Sequence, residues 1–70
     1  MSVYIVGNLI RERRKSLRIT QPDLAELAGI SVNSLCKIER GEANPTLGMI
    51  GKIAEILGLE IKLEIKKVKV

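Results

Sequence analysis

The sequence predicts an all-α domain of four short helices followed by one β-strand. Two observations carry that expectation. Through Leu57, apolar residues recur at helical spacings, and hydroxyl or glycine residues punctuate the runs. Beyond Glu60 the period drops to two: Ile61, Leu63 and Ile65 alternate with Lys62, Glu64 and Lys66. Seventy residues allow one folded unit, so residues 1–58 read as the helical domain and 59–70 as a tail.

The first helix runs from about residue 4 or 7 to 17, because Val6, Leu9, Ile10, Arg13, Arg14 and Leu17 share a stripe. Its start stays open, since Val3, Tyr4, Ile5 and Val6 also suit a strand. Arg18 and Ile19 form a short connection. Thr20 caps the second helix, Pro22 sits in its first turn, Asp23 completes a capping box, and Gly29 ends it. Ser31 caps the third helix, residues 32–40, which Gly41 stops. After a loop through Asn44 and Pro45, Thr46 caps the fourth, residues 47–57, with Leu47, Ile50, Ile53, Ala54 and Leu57 inward and Gly58 closing it.

Gly48 and Gly51 lie inside that fourth helix and each costs about 1 kcal/mol relative to Ala. Either a close backbone approach or plain tolerance accounts for them. The expected core is Leu9, Ile10, Leu17, Leu24, Ala25, Ala28, Ile30, Leu35, Ile38, Ile50, Ile53 and Leu57. In the tail the phase slips at Lys66 and Lys67 and resumes at Val68 and Val70, as at a bulge or a fraying end. A lone strand needs a partner for its backbone groups. Residues 3–6 are one candidate. The economical one is the same strand of a second copy, antiparallel across a two-fold axis, through Ile61, Leu63 and Ile65.

Composition closes several chemistries. There is no histidine, hence no His general base, no Ser-His-Asp triad and no His metal ligand. The single cysteine, Cys36, makes neither a zinc site nor an internal disulfide. No phosphate-binding glycine loop matches, and no cofactor is expected. Tyr4, the sole aromatic, cannot form a stacking platform for single strands. The apolar start precedes its basic cluster, the reverse of a secretory signal, and no run reaches membrane-spanning length. A non-enzymatic cytoplasmic protein without a membrane partner is the expectation.

The net charge of +4 favours an anionic partner, and its distribution says more. Arg11, Arg13, Arg14, Lys15 and Arg18 crowd the first third; Lys62, Lys66, Lys67 and Lys69 crowd the tail. Residues 20–41 read as two helices joined at Gly29. Leu24, Ala25, Ala28, Ile30, Leu35 and Ile38 mark the inner face of the pair; Val32, Asn33, Cys36 and Lys37 mark the outer face of the second. Such a pair is how a small protein presents a rod to the DNA major groove.

The residues that carry this pattern also carry a resemblance. Ile10-Arg11 with Arg14, then Ile19-Thr20-Gln21, Leu24-Ala25, Ala28-Gly29-Ile30-Ser31, Leu35, Ile38-Glu39-Arg40-Gly41 and Asn44-Pro45-Thr46-Leu47 resemble the lambda-repressor-like, Cro/Xre helix-turn-helix family over about residues 7–58. The resemblance implies a DNA-binding core that works as a homodimer on a pseudo-palindromic site. The tail is similar to those of Hip-type antitoxins, which implies an alternative: an antitoxin that binds a toxin protein through Leu27, Gly48, Gly51 and the tail, and autoregulates its operon. Three positions depart from the family pattern. Arg18 stands where glycine is frequent, Leu27 where a polar residue is usual, and Cys36 where a polar or small one is typical.

The candidate site follows. Asn33 suits adenine N6 and N7, Lys37 suits guanine or a phosphate, and Val32 and Cys36 suit thymine methyls. The alternative is a solvated helix face, for which two apolar side chains are odd. Gln21 opens the second helix, whose free N–H groups attract phosphate, and the family implies a backbone contact there. Ser31, Ser34, Arg40 and Asn44 are further phosphate candidates, Ser31 doubling as a cap. Arg11 and Arg18 either touch flanking backbone or are simply solvated. The resemblance also implies that Arg14 and Glu39 form a structural ion pair between the first and third helices.

Overall fold

A computed structural model describes residues 2–63 of the chain. It contains four helices: α1 (Val3–Ser16), α2 (Gln21–Ala28), α3 (Val32–Glu39) and α4 (Leu47–Leu57). All four start on a hydroxyl. The side chains of Ser2, Thr20, Ser31 and Thr46 accept from the N–H groups of Ile5, Asp23, Ser34 and Met49, at 3.0–3.2 Å. Each bond satisfies one of the N–H groups that a helix start leaves free. At α2 only the forward half of the capping box forms. Ser2 resolves the open start of α1: residues 3–6 are helical, so the strand tendency of Val3, Ile5 and Val6 yields to a capped helix.

The four helices also stop in one way. Beyond each last turn, a residue with positive φ lets two N–H groups fold back onto carbonyls of that turn, the Schellman arrangement. In α2, Gly29 (φ 71°) donates to the Glu26 carbonyl at 3.1 Å, and Ile30 to that of Ala25 at 3.0 Å. Glu42 reaches Lys37 beyond Gly41, and Leu59 reaches Ala54 beyond Gly58. In α1 the same position holds Arg18 (φ 58°), with Arg18 bonding Lys15 and Ile19 bonding Arg14. The departure from glycine thus falls on a left-handed residue, which costs an L-amino acid on the order of 1–2 kcal/mol.

The core lies where the four helices meet. Leu24, Leu35, Ile53 and Leu57 are fully buried at its centre, joined by Ile10, Ala25, Ala28 and Ile38. Ile30 and Ile50 pack on it half-buried. Two expected core residues, Leu9 (58%) and Leu17 (41%), are instead exposed, as is Leu47 (72%), expected to face inward on α4. The buried line of α1 is Gly7, Ile10 and Arg14, which puts Leu9 on its flank. Leu17 caps α1 past its last turn, and Leu47 opens the first turn of α4 at the edge of an open groove. Leu27 is exposed as well.

No strand forms among the described residues. Segment 3–6 is helical and so is not the candidate strand partner for the tail. Ile61 is exposed and Leu63 is 95% exposed; Ile65 and the slip at Lys66 and Lys67 lie outside the described residues. No helix among the described residues is long and apolar enough to cross a membrane.

Two glycines show opposite constraints. Gly7 is buried, and a Cβ there would collide with the carbonyl oxygen of Ile38, because α1 lies backbone to backbone on the end of α3. A Cβ on Gly51 would meet no atom within 4 Å, and one on Gly48 only the Thr46 hydroxyl at 3.9 Å. The chain's own backbone therefore makes no close approach at either. Gly51→Ala is expected to stabilise the fold by about 1 kcal/mol, raising Tm by about 4–8 °C. Gly7→Ala should destabilise it by about 1–3 kcal/mol through overpacking. Calorimetric melting of the two variants checks both signs.

Candidate nucleic-acid interface

α3 is held at both ends and along its inner face. Its N-terminus is closed by Ser31, which accepts from the Ser34 N–H at 3.0 Å and donates to the Ser34 hydroxyl at 2.9 Å. Leu35 and Ile38 are buried in the core. Near its C-terminus, Glu39 is the acceptor of a three-part cluster. The Arg14 Nε donates to Glu39 Oε2 at 2.7 Å and its second terminal nitrogen to Oε1 at 3.0 Å, a parallel two-bond fork. The Gln21 amide donates to the same Oε1 at 3.0 Å. The remaining Arg14 nitrogen donates to the Ile19 carbonyl at 2.9 Å. Arg14 and Glu39 are both buried, and no buried side-chain nitrogen or oxygen among the described residues lacks a partner.

Around this fixed rod the candidate residues fall as follows. Val32, Asn33 and Lys37 are exposed and Cys36 half-exposed, all on the face of α3 turned away from Leu35 and Ile38. Ser31, Ser34, Arg40, Asn44, Arg11 and Arg18 are exposed. Gln21 is half-buried, and one N–H of its amide is donated to Glu39. The hydroxyls of Ser31 and Ser34 engage each other as well as the cap.

The basic cluster of α1 divides. Arg14 is buried, and Arg13, although exposed, is engaged: its Nε donates to the Leu57 carbonyl at 2.9 Å, tying α1 to the end of α4. A cation is favourable at such a terminus, where carbonyls lack intrahelical partners. Arg11, Lys15 and Arg18 stay exposed, with no ion pair among the described residues. The Gln21 bond to Glu39 and the Arg13 bond to Leu57 had no local sequence signal. The nearest hint was Arg13 standing on the inward stripe of α1.

Residues 10–63 match the family model described as helix-turn-helix. The chain belongs to the helix-turn-helix family. It is 42% identical over 52 residues to an uncharacterised HTH-type transcriptional regulator of Methanothermobacter thermautotrophicus, covering 74% of this chain and 75% of that one. It is 39% identical over 56 residues to the immunity repressor protein of Bacillus phage phi105, covering 80% of this chain but 39% of the repressor. The restriction-modification controller protein C.AhdI of Aeromonas hydrophila superposes with a TM-score of 0.78 at 33% identity, over 83% of this chain and 88% of the controller. The clp gene regulator ClgR of Corynebacterium glutamicum shares the fold at a TM-score of 0.81 and 24% identity. Helix α3 of this helix-turn-helix domain is the second helix of the motif.

Glu39→Gln leaves the buried Arg14 without its counter-charge and is expected to destabilise the domain by about 3–5 kcal/mol. Replacing both, as Arg14→Met with Glu39→Leu, should cost less than the single change, because no unpaired charge stays buried. Urea unfolding of the single and double variants decides; a double variant weaker than the single would refute this reading of the pair.

Proposed function

We propose that this DNA-binding transcriptional regulator of the helix-turn-helix family, a non-enzyme, is a sequence-specific repressor that acts on double-stranded DNA as a homodimer. The observation that carries the reading is the outer face of α3. Asn33 and Lys37 stand exposed on a helix whose inner face and C-terminal end are locked by Leu35, Ile38 and the Arg14–Glu39 pair. A rod fixed in this way can enter a major groove without ordering itself first. Asn33 then reads adenine and Lys37 reads guanine or a phosphate, with Val32 and Cys36 against thymine methyls. Gln21, Ser31, Ser34, Arg40, Asn44 and Arg11 hold the sugar–phosphate rails. For Gln21 one amide N–H braces Glu39, so its second amide N–H and the N-terminus of α2 are what remain for the backbone.

Pairing of two copies is supported by the apolar side chains left uncovered. Val3, Leu9, Leu47, Leu59 and Ile61 border one groove of about 610 Å³ between α1, α4 and the tail. A chain of this size buries only about 60% of its unfolded surface, so covering such a groove with a second copy adds core that one copy lacks. Ile61, Leu63 and Ile65 would continue that contact as antiparallel strands. Two reading helices then meet successive major grooves about 34 Å apart, and repression follows from occlusion.

Asn33→Ala is expected to change base preference at one position per half-site, worth about 1–3 kcal/mol of discrimination. Arg40→Ala should weaken all sequences alike and flatten the salt dependence by about 0.9 in log–log slope. Selection from a random duplex pool, followed by titration at several salt concentrations, separates the two. An unchanged preference profile for Asn33→Ala would sink the groove assignment. Separately, Leu47→Glu should shift the protein from dimer to monomer in sedimentation velocity while leaving its helical circular dichroism intact, because Leu47 is exposed in one copy.

A further inference from the structure

A polar cleft of about 300 Å³ lies where α1 passes the end of α3, lined by Tyr4, Asn8, Arg11, Glu39 and Arg40. Tyr4, Asn8 and Arg11 stand at helical spacings of four and three along one face of α1. Both walls are held at fixed distance by glycines. Gly7, next to Asn8, brings α1 against the Ile38 and Glu39 carbonyls. Gly41, next to Arg40, lies so close to Tyr4 that a Cβ there would come within 2.9 Å of the Tyr4 Cα and 3.0 Å of its ring. The close approach of the two backbone segments is therefore fixed by glycines, and the side chains of Tyr4, Asn8, Arg11 and Arg40 line the space between them.

Its chemistry is one-sided. Glu39, the only acid present, is spent on Arg14 and Gln21 and leaves no free charge. Arg11 and Arg40 take part in no ion pair or side-chain hydrogen bond among the described residues. The Tyr4 hydroxyl and the Asn8 amide add neutral donors. Two free guanidinium groups, a hydroxyl and an amide around a neutralised floor fit a phosphate group.

Resting on the interface proposed above, we infer that this cleft holds a backbone phosphodiester of the same duplex that α3 reads. Tyr4 and Asn8 thereby join the DNA contacts, and the interface extends onto the N-terminal half of α1. Position favours the duplex as the source of the phosphate. Glu39 forms part of the cleft and also binds Gln21 at the start of α2, while Arg40 directly follows α3. The cleft thus continues the line of donors that flanks the reading helix. Contacts of this kind set register and affinity but carry no sequence information.

The test uses the full chain with a duplex selected from a random pool, a scrambled duplex and inorganic phosphate as probes. Asn8→Ala, Arg11→Ala and Tyr4→Phe alter exposed groups, and the last keeps the ring against Gly41. Arg11→Ala is expected to flatten the slope of log K against log salt by about 0.9. Asn8→Ala and Tyr4→Phe should each weaken selected and scrambled duplex alike, by up to roughly tenfold. If Arg11→Ala and Asn8→Ala leave affinity and slope unchanged while Asn33→Ala still alters base preference, the cleft inference fails and the groove assignment stands. If selected and scrambled duplex bind equally but Arg11→Ala flattens the slope and Asn8→Ala weakens both, the cleft stands and sequence-specific repression fails. Amide shifts at Asn8, Arg11 and Arg40 with inorganic phosphate, and no effect of these variants on duplex binding, would assign the cleft to a free anion and overturn the inference.

Discussion

The buried fork between Arg14 and Glu39 is the contact on which the rest of this domain depends. It joins α1 to the end of α3, takes the Gln21 amide from the start of α2, and uses its last donor on the Ile19 carbonyl of the connecting turn. Four segments are thus fixed relative to one another by one pair of side chains. A buried ion pair is a weak source of net stability, because desolvation offsets most of the attraction. What it supplies here is geometry. Each donor and acceptor has one partner arrangement that satisfies it, and a shift of α3 along its axis would strand a charge away from water. An apolar contact tolerates such sliding; a two-bond fork does not.

Backbone contact reinforces this placement. Gly7 allows α1 to lie directly on the carbonyls at the end of α3, and Arg13 ties the same helix to the final carbonyl of α4. α1 is therefore the frame, and the motif helices are set against it. Arg18 shows how strongly that frame is imposed. It adopts a left-handed conformation that the other three helices give to glycine, because the Schellman closure of α1 and the Arg14 bond to Ile19 both require the chain to turn there. The core and the fork outweigh a local cost on the order of 1–2 kcal/mol.

The division of charge and of apolar surface follows from this arrangement. Of the basic residues on and just after α1, Arg13 and Arg14 bond within the fold, whereas Arg11, Lys15 and Arg18 are exposed and make no ion pair among the described residues. The net charge therefore overstates what a nucleic acid can meet. Likewise Leu9 and Leu47 belong to helical stripes that look like core, yet they border an open groove. The apolar stripes of four short helices are wider than the helices can cover between them, and the remainder stays exposed.

Much of this was legible in the residues themselves. Helix boundaries at Thr20, Gly29, Ser31, Gly41, Thr46 and Gly58 follow from local chemistry: a hydroxyl satisfies free N–H groups, and glycine accepts positive φ without steric cost. The outward set on α3 followed from periodicity once Leu35 and Ile38 were placed inside. The start of α1 stayed open because Val3, Tyr4, Ile5 and Val6 suit either period; the Ser2 cap and the packing of Gly7 against α3 settled it. The exposure of Leu9, Leu17 and Leu47, the partner of Gln21, and the cleft between Tyr4 and Arg40 were decided only by the tertiary structure. Each depends on which segments distant in sequence meet, and periodicity within one helix says which side is apolar but not how far a neighbour extends to cover it.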